Sequence, residues 1–233
     1  NRPYYRGITQ PYNNRSAMAD RRPYRRESEE SRREALILAA LELVAEGGLE
    51  AATVRSIADR AGVTPGLIRH YFSGKEDLTR AAYRHMMEQM TADNVAVLET
   101  APDCPLARLT AFVTASLTPP VMQPLRLALW AGFLQLVRSD AVMRAIHEQT
   151  YLGYRDILER LIAALSRPGS DAARCRSDAI ACNAVIDGLW MEGSALPDNF
   201  ASGELVAIGL YAIGAILGVT LPPTGAGPNG ESA

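Results

Sequence analysis

The 233-residue sequence is poor in cysteine, lysine and aromatic side chains, and each shortage excludes something. Its three cysteines, Cys104, Cys175 and Cys182, form no CxxC pair and leave an odd one over. That pattern excludes a disulfide framework and argues against a zinc site. A reducing, cytoplasmic compartment is the expectation. Cys175 and Cys182, two helical turns apart, read as small core residues rather than ligands. No apolar run reaches the ~18 residues that span a bilayer. The Arg-rich start has no apolar h-region and so is not a secretory signal. There is no HExxH, no ExxH pair and no supported Ser/His/Asp grouping, so no enzyme is expected. No metal and no cofactor are expected either.

Net charge is also nearly absent, at −2, which at first sight speaks against a nucleic-acid partner. Split along the chain, the balance changes. Residues 1–86 carry 15 Lys+Arg against 11 Asp+Glu, whereas residues 87–233 carry 9 against 15. A basic first third beside an acidic remainder suggests a DNA-facing module joined to a domain with another task. Within it, residues 1–28 are rich in Asn, Pro, Tyr and Arg and lack apolar period, which predicts disorder. Met18-Ala-Asp reads as a plausible start, residues 1–17 then being an appended leader or an upstream extension. Arg21, Arg22, Arg25, Arg26, Arg32 and Arg33 form either an arm that tracks phosphates or a solvated basic tail.

From Ser31 onward the apolar residues recur with helical spacing, and no strand is predicted. The fold class expected is all-α. Ile37, Ala40, Leu41 and Val44 line one helix, which Gly47-Gly48 ends. Thr53 caps a second helix with Val54, Ile57, Ala58 and Ala61 inside. Gly62 stops it, Val63 plugs the turn, and Thr64 caps a third helix with Pro65 at its first position. Further helices are predicted over 106–117, 125–137, 141–165, 172–192 and 202–218, with Pro/Gly breakers between them. The expected organisation is a three-helix helix-turn-helix domain over 29–75, a helical effector-binding and dimerisation domain over 76–220, and a flexible tail over 221–233.

Two short helices joined by a tight Gly-containing turn are the helix-turn-helix unit, whose second helix enters the major groove. The packed side is Val54, Ile57, Ala58, Ala61, Val63, Ile68 and Phe72. Pro65, Gly66, Leu67, Arg69 and His70 are left outward. The stretch TVRSIADRAGVTPGLIRHYFSGKEDL, Thr53–Leu78, resembles the DNA-binding signature of the TetR family of repressors. That resemblance implies an operator-binding repressor. It places Thr53 and Arg55 at phosphate-contacting positions and Thr64, Pro65, Gly66, Leu67 and Arg69 on the recognition surface. His70, Tyr71 and Lys75 match further phosphate positions. Lys75 is the only lysine of the chain. The chemistry agrees: Arg69 can pair bidentately with guanine, and Leu67 can meet a thymine methyl. The family often has an aromatic where Arg69 stands, which leaves the operator open.

Ala184-Val-Ile-Asp-Gly-Leu-Trp190 and Ala128-Leu-Trp-Ala-Gly-Phe133 resemble the effector domain of the BetI-type subgroup, which includes choline-sensing repressors. The candidate effector site is Trp130, Phe133, Tyr151, Tyr154, Asp187 and Trp190, with Glu192 nearby, because aromatic faces beside a carboxylate suit a quaternary ammonium. Trp130 and Phe133 at i, i+3 read more often as core than as a cage, and Asp187 before Gly188 reads alternatively as a structural carboxylate bonded between helices. His147 reads as solvated, and His85 as lying at the domain junction. The last two long helices are expected to build a homodimer as a four-helix bundle, with Ala207, Gly209, Ala212, Gly214 and Ala215 permitting close approach. The expected partners are double-stranded operator DNA, a second copy, and a small organic effector of unknown identity. A helical protein-interaction module, or a regulator with no ligand, is the alternative.

Overall fold

A computed structural model describes residues 22–222, with side chains from residue 29 onward. Among these residues there are nine α-helices, a 3-10 turn at Pro197–Asn199 and no strand. The expected segment 1–28 lies outside the described residues as far as position 21. From Arg22 the backbone is already helical, nine residues before Ser31. Arginine and glutamate, which dominate that stretch, are good helix formers even without an apolar stripe. The tail expected after Pro222 lies outside the described residues, whereas Leu221 is buried.

Helix α1 (Arg22–Ala51) buries Leu36, Ile37, Ala40, Leu41 and Val44 and kinks at Gly47–Gly48. Gly48 has φ of 72°, a left-handed conformation that favours glycine. Helix α2 (Val54–Arg60) opens on a reciprocal cap: the Ser56 amide donates to Thr53 Oγ1 at 3.1 Å, and the Thr53 amide to Ser56 Oγ at 2.9 Å. Helix α3 (Pro65–Tyr71) follows a turn in which Gly62 takes φ of 65°. Helix α4 (Lys75–Thr100) carries Glu76 and Asp77 in its first turn, where its positive end favours acid.

The remaining helices are α5 (Pro105–Ser116), α6 (Pro124–Ser139), α7 (Ala141–Ala164), α8 (Ala172–Ala195) and α9 (Glu204–Leu217). The Pro/Gly breakers fall where expected, and α8 runs nearly one turn past the predicted end at Glu192.

Two hydrophobic clusters hold these helices together. The first gathers α1, α2, α3 and the first half of α4 with Leu129 and Phe133 of α6 and Met143 and Ile146 of α7. The second joins α5, α7, α8 and α9 through residues such as Phe112, Leu158, Ile186 and Ile213. Met90 and Trp130 are partly buried against both. Helix α6 is tied to α4 near both of its ends: Arg126 pairs with Asp93 at 2.5 Å, and Arg80 with Asp140, which also caps α7, at 2.8 Å.

Two of the small residues assigned to a subunit contact are used inside the chain instead. A Cβ on Gly209 would lie 2.4 Å from Leu117 Cδ1, and one on Gly214 2.7 Å from the Val219 carbonyl. Ala207 and Ala215 stay exposed, beside Ile208 and an 81% exposed Tyr211. Helical spacing alone does not tell which small face meets a partner and which meets the chain's own loops. Because the obstacle at Gly214 is backbone, Gly214→Ala is expected to destabilise the fold by about 1–3 kcal/mol in chemical denaturation. An unchanged denaturation midpoint would show that the α9 terminus relaxes freely.

Candidate functional site

The residues expected to face DNA lie mostly on and beside α2 and α3. Ile57, Ala58, Ile68 and Phe72 are buried and fix both helices on α1 and α4. Arg60 reinforces this, donating to Glu46 at 2.7 and 2.9 Å and to Glu42 at 3.0 Å on α1. Arg33, one of the arginines assigned to a possible arm, lies over the Phe72 ring at 5.0 Å.

On the outer side, Thr53, Arg55, Thr64, Pro65, Gly66, Arg69 and His70 are exposed, and Leu67 and Tyr71 are half-buried. The Arg55 side chain is 90% exposed and only 4.0 Å from Asp59 at closest. Thr53 spends its hydroxyl on the α2 cap, whereas Thr64 holds the α3 cap position with no side-chain cap bond. His70 meets Tyr71 edge-on at 5.0 Å. Lys75 opens α4 and turns its ammonium to the Leu49 carbonyl at 3.4 Å, beside the α1 kink.

A cavity of about 390 Å³ lies between α4, α5, α6, α7 and α8. Trp130, Tyr151, Tyr154, Asp187 and Trp190 line it, as assigned from the sequence. The two tryptophans stand edge-on at 5.8 Å, and the Trp190 indole donates to the Val121 carbonyl at 3.0 Å. Phe133 is not a lining residue: it is fully buried in the first cluster, 5.2 Å from the Tyr83 ring. Its i, i+3 spacing from Trp130 turns it towards α1 instead. Glu192 is exposed and does not line the cavity.

His147, expected to be solvated, is half-buried and lines the cavity. Its Nδ1 lies 2.6 Å from the Tyr83 hydroxyl, and its ring stacks on Tyr151 at 5.3 Å. His85 lies in a shallow groove between α1, α4 and α7. The wall from α4, namely Met87, Met90, Thr91 and Asn94, had no functional reading, because with Tyr83 it forms an ordinary core stripe. The one available signal was the polar Asn94 interrupting that stripe.

Two polar networks close the cavity. At one, the Tyr151 hydroxyl donates to Asp187 Oδ2 at 2.5 Å, and Asn183 Nδ2 donates to the same oxygen at 2.9 Å. At the other, Ser116 Oγ lies 2.8 Å from each of Asn94 Oδ1, the Phe112 carbonyl and the Tyr154 hydroxyl. The single Ser116 hydrogen serves one carbonyl-type acceptor, so Tyr154 donates to Ser116.

Burial raises the Asp187 carboxyl above the usual carboxylate range, partly offset by the bonds from Tyr151 and Asn183. Burial, with Asp187 beside it, pushes the Tyr151 phenol up to about 12. Burial also lowers the His147 imidazole. No arginine or lysine lines the cavity, so Asp187 is its one group of strong charge.

The two halves of this architecture match known proteins separately and together. Residues 36–82 match the family of bacterial regulatory proteins of the tetR family, and residues 105–218 match the BetI-type transcriptional repressor C-terminal domain. The chain belongs to the TetR family. It is 34% identical over 170 residues to the HTH-type transcriptional regulator BetI of Burkholderia thailandensis, covering 71% of this chain and 83% of that protein. A crystal structure of a transcriptional regulator from Pseudomonas aeruginosa PAO1 superposes with a TM-score of 0.75 at 29% identity, over 86% of this chain and 97% of that one. A regulator from Saccharomonospora viridis, crystallised in complex with choline, shares the fold at 20% identity and a TM-score of 0.65 over 77% and 94% of the two chains.

This TetR-family chain is thus a helix-turn-helix transcriptional regulator with a BetI-type C-terminal region. No helix among the described residues is long and apolar enough to cross a membrane. The buried Ser116 junction should matter for stability. Ser116→Ala leaves Tyr154 and Asn94 without their partner and is expected to cost about 1–3 kcal/mol of unfolding free energy. A loss under a few tenths would mean that water replaces the hydroxyl.

Proposed function

We propose that this regulator is a cytoplasmic homodimer that grips operator DNA through α3 and whose grip weakens when a small organic cation fills the cavity. The observation that carries the reading is Asp187 lining one cavity with Trp130, Trp190 and Tyr151, with no arginine or lysine on the wall. Aromatic faces attract a cation by ~0.5–2 kcal/mol each as the site dries. A zwitterion would bring its own carboxylate into a cavity with no cation to receive it. A quaternary ammonium carrying a neutral tail fits this charge pattern, and choline, seen bound to the S. viridis relative, is the compound to try first.

The dimer follows from what α8 and α9 leave uncovered. Ile180 and Met191 on α8 and Ile208 and Tyr211 on α9 are large and exposed, with Ala181, Ala184, Ala207 and Ala215 between them. Pairing these faces across a two-fold axis gives a four-helix bundle and holds two heads about one DNA turn, ~34–36 Å, apart. In each head, Arg69 reads a base edge, while Thr53, Arg55, Thr64, His70, Tyr71 and Lys75 face phosphates. The Lys75–Leu49 bond is long, so a phosphate competes well for that ammonium.

Isothermal titration calorimetry with choline is expected to show binding that Trp190→Ala weakens about tenfold or more, one to two cation–π interactions being lost. No heat at millimolar choline contradicts the effector assignment. Affinity should be constant at high pH and fall as pH drops, since the free site protonates Asp187 above the usual carboxylate range. A positive charge on His147 acts in the same direction. Affinity that rises on acidification overturns the role of Asp187.

On the DNA side, Arg69→Ala should weaken binding to the gene's own upstream DNA by about 1–3 kcal/mol in mobility shift. Arg55→Ala should lower the salt slope by about one. Binding and salt dependence untouched by either change would place the DNA contact elsewhere.

A further inference from the structure

We infer that His147 is an effector-contacting residue and that its hydrogen bond to Tyr83 is the link through which the cavity and the DNA-reading head sense each other. Tyr83 has no exposed surface and lies in the first cluster, the one that also holds α1, α2 and α3. Its ring packs on Phe133 at 5.2 Å, and its hydroxyl reaches His147 Nδ1 at 2.6 Å. A buried phenol needs a partner for that hydroxyl, and His147 is the partner it has.

His147 in turn forms part of the cavity wall. Its ring stacks on Tyr151, whose hydroxyl donates to Asp187. The series Asp187–Tyr151–His147–Tyr83 therefore runs without a gap from the charged group of the cavity to the core on which the recognition helix rests. A molecule pressed against Tyr151 or Asp187 cannot leave the imidazole in place unless it fits around it. Turning the ring away strands the Tyr83 hydroxyl in an apolar core, a cost comparable with the usual coupling between two sites. The core then has a reason to repack, and α1 and α4 move with it.

This inference rests on the cavity being an effector site, but its test needs no effector. The chain has two tryptophans, both lining the cavity, so tryptophan emission reports on the cavity and, through Trp130, on its junction with the first cluster. Coupling in binding is reciprocal. Adding a duplex of the gene's upstream DNA to the full chain should therefore change the emission of Trp130 and Trp190.

Tyr83→Phe keeps the ring and removes only the hydroxyl. It should bind the duplex within about threefold of the parent yet lose most of the emission change, since distant effects are small where no partner is shared. His147→Leu breaks the same bond from the cavity side and should behave alike, whereas His147→Gln, which can still bond the phenol, should recover part of the response. An emission change absent in the parent, or retained in full by Tyr83→Phe, overturns the inference; the second result would route the coupling through Trp130 and α6. A choline titration followed by the same emission tests the effector assignment separately. If choline fails to bind, that assignment falls, while the response to DNA still decides whether the His147–Tyr83 bond links cavity and head.

Discussion

The packing of Tyr83 and Phe133 into the core beneath the DNA-reading helices is the constraint on which the rest of this structure depends. A three-helix head of some fifty residues buries little apolar surface by itself and is marginal alone. Here Leu129 and Phe133 from α6, and Met143 and Ile146 from α7, complete its core. Each such buried side chain contributes about 1.5–3 kcal/mol relative to exposure. The reader is thus finished by residues that belong to the sensor, and the two cannot move independently without opening that core. Trp130 lines the cavity, while Leu129 and Phe133 on the same helix belong to the first cluster with α1.

The cavity shows the opposite economy. Around Asp187 and Ser116 polar groups are taken out of water and held by few, short bonds, with Asn183 Oδ1 left buried and unpaired, so small changes there carry a large energetic consequence. The raised Asp187 carboxyl is a sign of that cost: the ionised form lacks a cation in the wall. A wall of tryptophan and tyrosine with an unneutralised carboxylate is stable enough to fold and better with a guest. Elsewhere the chain closes its charges internally. Arg167 spans Asp178 at 2.6 Å and the Leu217 carbonyl at 3.1 Å, clamping the end of α9 to α8 and so fixing the exposed face they share.

The helices were legible because apolar spacing, caps and breakers agreed: Thr53, Gly62 and Pro65 each do what their chemistry suggests at their positions. Five of the six assigned cavity residues line one cavity, since a tryptophan or a buried carboxylate is rarely placed at random in a chain so poor in aromatics. Phe133 was misplaced because i, i+3 spacing leaves about 60° of helical rotation between two side chains, enough to turn one to the core and one to the cavity. His147 was missed for a different reason. Glu148 and Gln149 beside it are polar, and only Tyr83, distant in sequence, and Tyr151 draw its ring into the cavity wall. Gly209 and Gly214 look like contact residues in any small-residue helix; Leu117 and Leu189, distant in sequence, fill the space above the first, and the turn at Val219 just beyond α9 fills that above the second. Local rules identified which residues carry chemistry; which of them meet depended on long-range packing.

The central claim, that reader and sensor share one core, is tested most directly by comparing two signals during urea unfolding. Tryptophan emission follows the cavity and, through Trp130, the edge of the first cluster, whereas far-UV circular dichroism follows all the helices, those of the head included. A shared core predicts one cooperative transition with coincident midpoints by both signals. Helical signal lost in a separate, earlier step, while the emission of Trp130 and Trp190 is unchanged, would mean that the head unfolds by itself and would contradict the account.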